Sequence, residues 1–295
     1  MNNEDSESLK KLVRDKYAAI ANQSQADNAA SCCGATPTSN KVYNIMMENY
    51  TALNGYQSAA DLGLGCGLPT VFAKIKRGDV VVDLGSGAGN DCFVARHETG
   101  TEGKVIGIDF TPDMIAKARK NAEQLELHNV EFRLGDIDNM PLNDAIADVV
   151  VSNCVLNLVP DKSAVMKEMF RVLKPGGHFS ISDVVLKGEL PAALQKSAEL
   201  YAGCVAGAMQ QADYLTQLEA AGFMHIEIQK AKPIHIPEDI LSNYLDEQQL
   251  AQYMQLDTGI FSITVYGEKP GNKPKPRVKL SEIQNMTCKP NSNCC

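Results

Sequence analysis

Tryptophan is absent from this 295-residue chain, and aromatic residues make up only 6% of it. An excess of positive charge is also missing, because 28 lysines and arginines stand against 36 aspartates and glutamates, a net charge of −8. Nucleic-acid-binding proteins usually combine a basic face with aromatic side chains that stack on bases. The one basic stretch, KPGNKPKPRVK (269–279), is typical of a proline-rich linker. Nucleic acid is therefore not an expected partner.

Long hydrophobic runs are lacking as well. No apolar run approaches the ~20 residues that cross a bilayer, so we expect no membrane partner. The N-terminal stretch MNNEDSESLKKL is polar and acidic, unlike a secretory signal. We therefore expect a cytoplasmic protein.

Cysteine is plentiful, but its nine copies include no C-x-x-C pair. A disulfide framework is not expected in a reducing compartment, and the spacing also lacks the C-x₂₋₄-C knuckle usual in zinc sites. Cys92 falls on the apolar face of a predicted helix, so we expect it to be a small buried core residue. The remaining cysteines stand mostly beside glycine, serine or asparagine, which favour loops. They occur in SCCG (31–34), GCGLP (65–69), SNCV (152–155), AGCVAG (202–207), TCKP (287–290) and the final NCC.

From Asp79 onward the pattern alternates between strands and helices. Strands are predicted at 80–84, 104–109, 130–136, 147–153 and 177–185. A helix is predicted over 111–127, with Thr111 as N-cap and Pro112 just inside it. This alternation indicates a doubly wound, Rossmann-like α/β sheet with right-handed crossovers. An N-terminal helical and loop segment precedes it, with an apolar stripe over 6–22. A smaller C-terminal α+β region follows, with a helix near 211–221 and strands near 224–230 and 260–267.

The stretch VVVDLGSGAGND (80–91) is a buried strand that leads into a glycine-rich turn and a helix. Gly85, Gly87 and Gly89 let the backbone approach a ligand, and the helix N-terminus offers N–H groups. A structural turn or a dinucleotide site would use the same pattern. The nicotinamide fingerprint, however, needs a third glycine where this chain has Asn90.

The ends of three predicted strands resemble the motifs of class I S-adenosylmethionine-dependent methyltransferases across roughly residues 76–185. Asp83 begins a D-x-G-x-G-x-G motif, Asp109 ends the second strand, and Gly135-Asp136-Ile137 ends the third. The resemblance implies a seven-stranded sheet with an antiparallel last strand. It also implies that the acid of the second strand binds ribose, that the glycine loop faces the methionine moiety, and that the third-strand end holds adenine. The cofactor-binding residues predicted on this basis are Asp83, Gly85, Ser86, Gly87, Asp109, Met114, Gly135, Asp136, Ile137 and Asn153. For Met114 a core position is an equal alternative to covering the adenine.

The cysteine-bearing segments LGLGCGLP, DLGSGAGNDCF, VVSNCVLNLVPDK and LYAGCVAGA resemble, in order, those of arsenite methyltransferases. The resemblance covers about residues 9–230. It implies that Cys66, Cys154 and Cys204 are arsenic-related thiols, with Cys32 or Cys33 as the N-terminal one. In that family pattern Cys154 and Cys204 bind arsenic directly, while Cys66 and Cys32 or Cys33 serve a redox step. Cys154 directly follows the fourth predicted strand, at the switch point where such sheets bind ligands. Cys66 stands in the N-terminal glycine-rich segment, outside the end of the fourth strand, and this position is the motive for its redox role.

The resemblance implies a particular chemistry. Trivalent arsenic binds up to three thiolates and keeps a lone pair that attacks a sulfonium methyl group, so the nucleophile needs no general base. Methylation formally gives As(V), which a further thiol returns to As(III) by forming a disulfide. A thioredoxin-like or glutathione-type reductant then completes the cycle, which would serve arsenic detoxification.

Two other functions stay open. A small-molecule C- or O-methyltransferase, such as one acting on quinones, would have a similar core and would use its cysteines for packing. A non-enzymatic thiol or metal sensor would not need the cofactor. On the preferred interpretation the chain divides into a lid segment (1–75), the cofactor-binding core (76–189), an arsenic-site and sheet-completing region (190–268), and a linker with a cysteine-containing tail (269–295).

Overall fold

The computed structural model describes residues 3–22, 48–189, 207–234, 242, 245–255 and 259–271. Its described strands are β1 (Val80–Leu84), β2 (Lys104–Asp109), β3 (Val130–Leu134), β4 (Ala147–Asn153), β5 (Leu173–Lys187), β6 (Met224–Ile234) and β7 (Gly259–Glu268). Its described helices are α1 (Asn3–Ala21), α2 (Pro69–Phe72), α3 (Asn90–Thr99), α4 (Pro112–Gln124), α5 (Lys162–Val172), α6 (Gln211–Ala220) and α7 (Glu247–Gln255). A 3₁₀ turn spans Leu156–Leu158.

The seven strands form one sheet in the order β3-β2-β1-β4-β5-β7-β6. Strands β1 to β5 are parallel to one another, and β7 runs antiparallel to both β5 and β6. The strand order reverses between β1 and β4, so the crevice beyond their carboxyl ends is the place where such sheets bind ligands. The doubly wound sheet predicted from the sequence is therefore confirmed.

Helices cover both faces of this sheet because alternate residues of its central strands are apolar on either side. In β1, Val81 packs with the cluster that contains Phe93 of α3, whereas Val82 packs with the cluster that contains Met169 of α5 and Tyr214 of α6. Buried, β-branched residues on both faces are typical of parallel strands covered on two sides. The core thus fixes the register that brings the strand ends together.

Several predicted boundaries are wrong by a few residues. β3 ends at Leu134 rather than at 136. The amide of Gly135 still donates to the Asp109 carbonyl of β2 (3.0 Å), and the chain turns away from the sheet after this residue. β5 is longer than predicted because it pairs with β7 from His178 to Lys187. Strands β6 and β7 complete the same sheet, as the resemblance implied, and α7 was not predicted. Among the helices of the described ranges, none combines the length and apolarity that crossing a bilayer requires.

Candidate active site

A pocket lies beyond the carboxyl ends of β1 to β4, at the point where the strand order reverses. The loops after these strands line it, together with side chains from α1 and from the segment before α2. The lining residues that carry polar or thiol groups are Lys10, Tyr17, Tyr50, Asp61, Asp83, Ser86, Asn90, Asp91, Asp109, Asp136, Asp138, Asn153 and Cys154. Acidic groups therefore dominate this pocket.

The glycine-rich loop forms one wall of the pocket. Gly87 and Gly89 adopt left-handed backbone angles, with φ of 51° and 99°. At Gly89 a Cβ would lie 2.8 Å from the ring of Phe132, so the close packing of α3 requires glycine there. The amide of Gly87 donates to Asp109 (3.0 Å), which also accepts from the amide of Thr111 (2.8 Å). The acid at the end of β2 is thus tied to the loop and keeps a fixed orientation.

Two buried polar atoms of this wall have no hydrogen-bond partner among the described residues. They are the Ser86 hydroxyl and the Asn90 side-chain oxygen, and both residues line the pocket. Leaving a buried polar atom unsatisfied costs about 1–3 kcal/mol, so such atoms usually have a partner when the site is in use. The pocket therefore fits a ligand with several hydrogen-bonding groups, such as a nucleoside.

Buried carboxylates give the pocket its electrostatic character. Burial raises the pKa of Asp83 well above its ordinary value, and the nearby Asp91 adds to this, while the Cys92 thiol donates to Asp83 (3.2 Å). Burial also raises the pKa of Asp91 to about 6 and, more modestly, that of Asp109. Clustered carboxylates with raised pKa values favour a cationic ligand, because positive charge relieves their repulsion.

The structure places all but one of the predicted cofactor residues on this pocket. Met114 is the exception: its side chain is fully buried in the core cluster between α4 and the sheet, which fits the core alternative for this residue. The reason is that Met114 faces inward from the first turn of α4, whereas Phe110, just after β2, lines the pocket instead.

Helix α1 closes the side of the pocket near the end of β3. Lys10 forms ion pairs with Asp138 (2.9 Å) and Asp136 (3.5 Å), and Arg14 lies over the Phe110 ring, 5.4 Å from its centroid. Lys10 and Tyr17 were not predicted as pocket residues, because no local pattern indicates which face of an isolated helix meets a distant strand end.

Cys154 lies at the end of β4 and lines the pocket. Its backbone is left-handed (φ 61°), which is unusual for a residue with a side chain, and its amide donates to the Ser182 carbonyl (2.7 Å). This turn ends the strand and gives the thiol a direction that a continuing strand would not. Cys154 is therefore at the switch point, as predicted.

Cys66 is not outside the end of the fourth strand, and that prediction is wrong. It belongs to the same buried cluster as Cys154, together with Val184, Ile234 and Ile260. The loop reaches this place because the amide of Cys66 donates to the side chain of Asn153 (3.1 Å), the residue before Cys154. Two of the predicted arsenic thiols thus meet in one cluster beside the pocket.

The other cysteines have different outcomes. Cys92 is fully buried in the core, as predicted. Cys32, Cys33 and Cys204 lie outside the described residues, and so does the predicted cysteine-containing tail. Within the described ranges, no group of three histidine, cysteine, aspartate or glutamate side chains is arranged to hold a metal ion.

Comparison with known proteins agrees with this geometry. Residues 75–222 match the model of a methyltransferase domain family. An arsenite methyltransferase of Halobacterium salinarum is 39% identical over 90% of this chain and 68% of its own length, and one of Aquipseudomonas alcaligenes is 32% identical over 80% and 68%. The crystal structure of an arsenic(III) S-adenosylmethionine methyltransferase from Chlamydomonas reinhardtii superimposes with a TM-score of 0.58 at 33% identity, covering 70% of this chain and 68% of that one.

Proposed function

The chain belongs to the arsenite methyltransferases, and on that premise we propose that Cys66, Cys154 and Cys204 hold trivalent arsenic beside S-adenosylmethionine bound in the pocket. The enzyme transfers methyl groups from S-adenosylmethionine to trivalent arsenic and gives methylated arsenicals. The observation that carries the residue roles is the shared cluster of Cys66 and Cys154 at the edge of the pocket.

The pocket residues fit S-adenosylmethionine, which when bound supplies a methyl group on a positively charged sulfur that arsenic can take. Asp109, held by two backbone amides, is oriented to accept hydrogen bonds from ribose hydroxyls. Ser86 and Asn90 offer unsatisfied oxygens to the polar groups of the cofactor. Asp91, whose pKa burial raises only to about 6, contributes negative charge near neutral pH, and this charge attracts a cation.

The thiols account for substrate binding without a general base. When arsenite exchanges a hydroxyl for a cysteine sulfur, the hydroxyl and the thiol proton leave together as water, so no side chain has to retain the proton. Soft trivalent arsenic prefers thiolate sulfur to oxygen. The apolar neighbours of the two thiols exclude water from the bound metalloid.

The packing of the residues that follow Cys204 in the sequence supports Cys204 as a third arsenic ligand. Ala208, four residues later, packs against the cluster of Cys66 and Cys154. Gly207 lies so close to the Asn157 carbonyl that no side chain would fit there. Three residues span at most about 11 Å, so a thiol three residues before Gly207 is within reach of this cluster.

The redox step is proposed for Cys66 and one of the N-terminal cysteines. Methylation leaves arsenic formally as As(V), and two cysteines that form a disulfide supply the two electrons that restore As(III). Cys32 or Cys33 together with Cys66 would provide this pair, and a thioredoxin-like or glutathione-type dithiol would reduce the disulfide. Such a cycle suits the reducing cytoplasm and a role in arsenic detoxification.

One assay tests the residue roles. The enzyme is incubated with arsenite, S-adenosylmethionine and a dithiol, and the arsenic species are then separated. We expect methylated arsenicals from the wild type and almost none from Cys154→Ser, while calorimetry shows that both proteins bind S-adenosylmethionine. Wild-type turnover by Cys154→Ser would contradict the proposed arsenic site.

A further inference from the structure

The segment Gly65-Cys66-Gly67 packs closely against Asn153 at the end of β4 and against Ser182 within the neighbouring strand β5. A Cβ at Gly65 would lie 2.6 Å from the side-chain nitrogen of Asn153 (Nδ2), and a Cβ at Gly67 would collide with the Ser182 hydroxyl. Neither glycine has left-handed torsion angles. Glycine is therefore required at both positions because a side chain would not fit, and not because of the backbone conformation. The G-C-G sequence is therefore what allows the thiol-bearing backbone to lie flat on the sheet.

Side chains from three distant parts of the chain bind this backbone. The Asn153 oxygen accepts from the amides of Cys66 (3.1 Å) and Gly67 (3.2 Å), and the Asn153 nitrogen donates to the Gly67 carbonyl (2.9 Å). The Ser262 hydroxyl of β7 donates to the Cys66 carbonyl (2.6 Å). The Tyr50 hydroxyl also lies 3.1 Å from the Gly67 carbonyl. Both peptide groups that flank the Cys66 Cα are thus tied down.

The hydrogen-bonding capacity of Asn153 is filled by these contacts. An asparagine oxygen accepts two hydrogen bonds, and both are used by the amides of Cys66 and Gly67. Its nitrogen has two hydrogens and faces three acceptors, namely the Gly67 carbonyl, the Tyr50 hydroxyl and Asp91. A cofactor atom would have to displace one of these partners. Asn153 lines the cofactor pocket, but its polar atoms are committed to the protein.

We propose that Asn153 and Ser262 are positioning residues that fix Cys66 beside Cys154, and that Asn153 is not a ligand of the cofactor. Trivalent arsenic requires its sulfur ligands at set distances in a pyramid, so a thiol on an untethered loop would lose conformational freedom on binding. Tethering both flanking peptide groups removes much of that cost in advance. This proposal rests on the proposed function, because it assumes that Cys66 binds arsenic.

A pair of serine variants tests this proposal. Ser262→Ala removes the bond to the Cys66 carbonyl. Ser180→Ala is its matched control, because Ser180 is also buried and donates to the carbonyl of Pro69, the first residue of α2, three residues after Cys66 (2.8 Å). Arsenite affinity is measured by equilibrium filtration with arsenic quantification, and S-adenosylmethionine affinity by calorimetry. Loss of one neutral hydrogen bond predicts an arsenite dissociation constant about threefold to tenfold higher for Ser262→Ala. We expect less than a twofold change for Ser180→Ala, and unchanged cofactor affinity for both.

A double-mutant cycle shows whether Asn153 acts through Cys66. Asn153→Ala should weaken arsenite binding at least tenfold in the wild type, but less than twofold when Cys66 is already serine. Equal effects in both backgrounds would overturn the proposal, as would equal effects of Ser262→Ala and Ser180→Ala. If Asn153→Ala does not fold, the serine pair still decides. If Cys66→Ser binds arsenite like the wild type, the proposed function of Cys66 fails instead, and that result is separate from the outcome of the serine pair.

Discussion

Tyr50 donates its hydroxyl hydrogen to the carboxylate of Asp91, 2.9 Å from each carboxylate oxygen, although 41 residues separate the two in the chain. Both side chains are buried and line the cofactor pocket. Burial raises the pKa of Asp91 to about 6, while the bonds from Asn153 and Tyr50 act in the opposite direction. The charge of this acid therefore changes just below neutral pH.

The first prediction follows from that charge. Because protonation of Asp91 removes a negative charge from the pocket, the affinity for cationic S-adenosylmethionine should fall as the pH drops through about 6. Tyr50→Phe removes a bond that lowers the Asp91 pKa, so it should move this transition to higher pH and weaken binding at pH 7. Calorimetric titrations between pH 5.5 and 8 measure both effects. An identical midpoint in the two proteins would contradict the role of Tyr50.

The second prediction compares two residues near the ribose position. Asp109→Ala removes a charged acceptor and should weaken S-adenosylmethionine binding by roughly 1.5–3 kcal/mol, about tenfold to a hundredfold. Met114→Leu is the control, because Met114 lies in the core and should leave the affinity unchanged. If Met114→Leu weakened cofactor binding as much as Asp109→Ala, the ribose assignment would lose its support.

The third prediction concerns stability and pH. Asp183 is fully buried, and burial raises its pKa to about 7, with the Tyr214 hydroxyl 3.3 Å away. Since the unfolded value is about 3.9, the folded protein binds this proton more tightly, and the resulting stabilisation is lost as the pH rises through 7. The free energy of unfolding should fall by on the order of 1 kcal/mol between pH 6 and 8. Denaturant melts of Asp183→Asn should show a smaller fall, and an equal fall would assign the pH dependence to other groups.

The fourth prediction concerns Tyr253, which packs beside the two proposed arsenic thiols. Tyr253 of α7 packs against the cluster that contains Cys66 and Cys154. Tyr253→Ala should raise the Michaelis constant for arsenite severalfold, because water reaches the thiols, and should improve the relative activity on bulkier trivalent phenylarsenicals. Tyr253→Phe keeps the ring and should resemble the wild type in both assays. Similar losses in the two variants would mean that the hydroxyl rather than the ring matters.

Local patterns in the sequence were enough to predict the frame of this enzyme. The first, second and fourth strands were predicted with their observed ends, because buried parallel strands consist of short apolar runs between turns. The glycine loop and Asp109 follow from the same pattern, since the loop directly after a buried strand must lie at the carboxyl edge of the sheet. The order of the cysteine segments indicated the chemistry through a family resemblance.

The tertiary structure alone decided which of these groups meet. Cys66 and Asn153 are 87 residues apart and Tyr50 and Asn153 are 103 apart, so no local pattern could pair them. The sequence likewise contained no signal that α7 would pack Tyr253 against the thiols, or that Met114 would turn into the core. Such choices depend on which surfaces exclude water together and which buried polar groups satisfy one another. Both conditions are properties of the assembled fold rather than of any one segment.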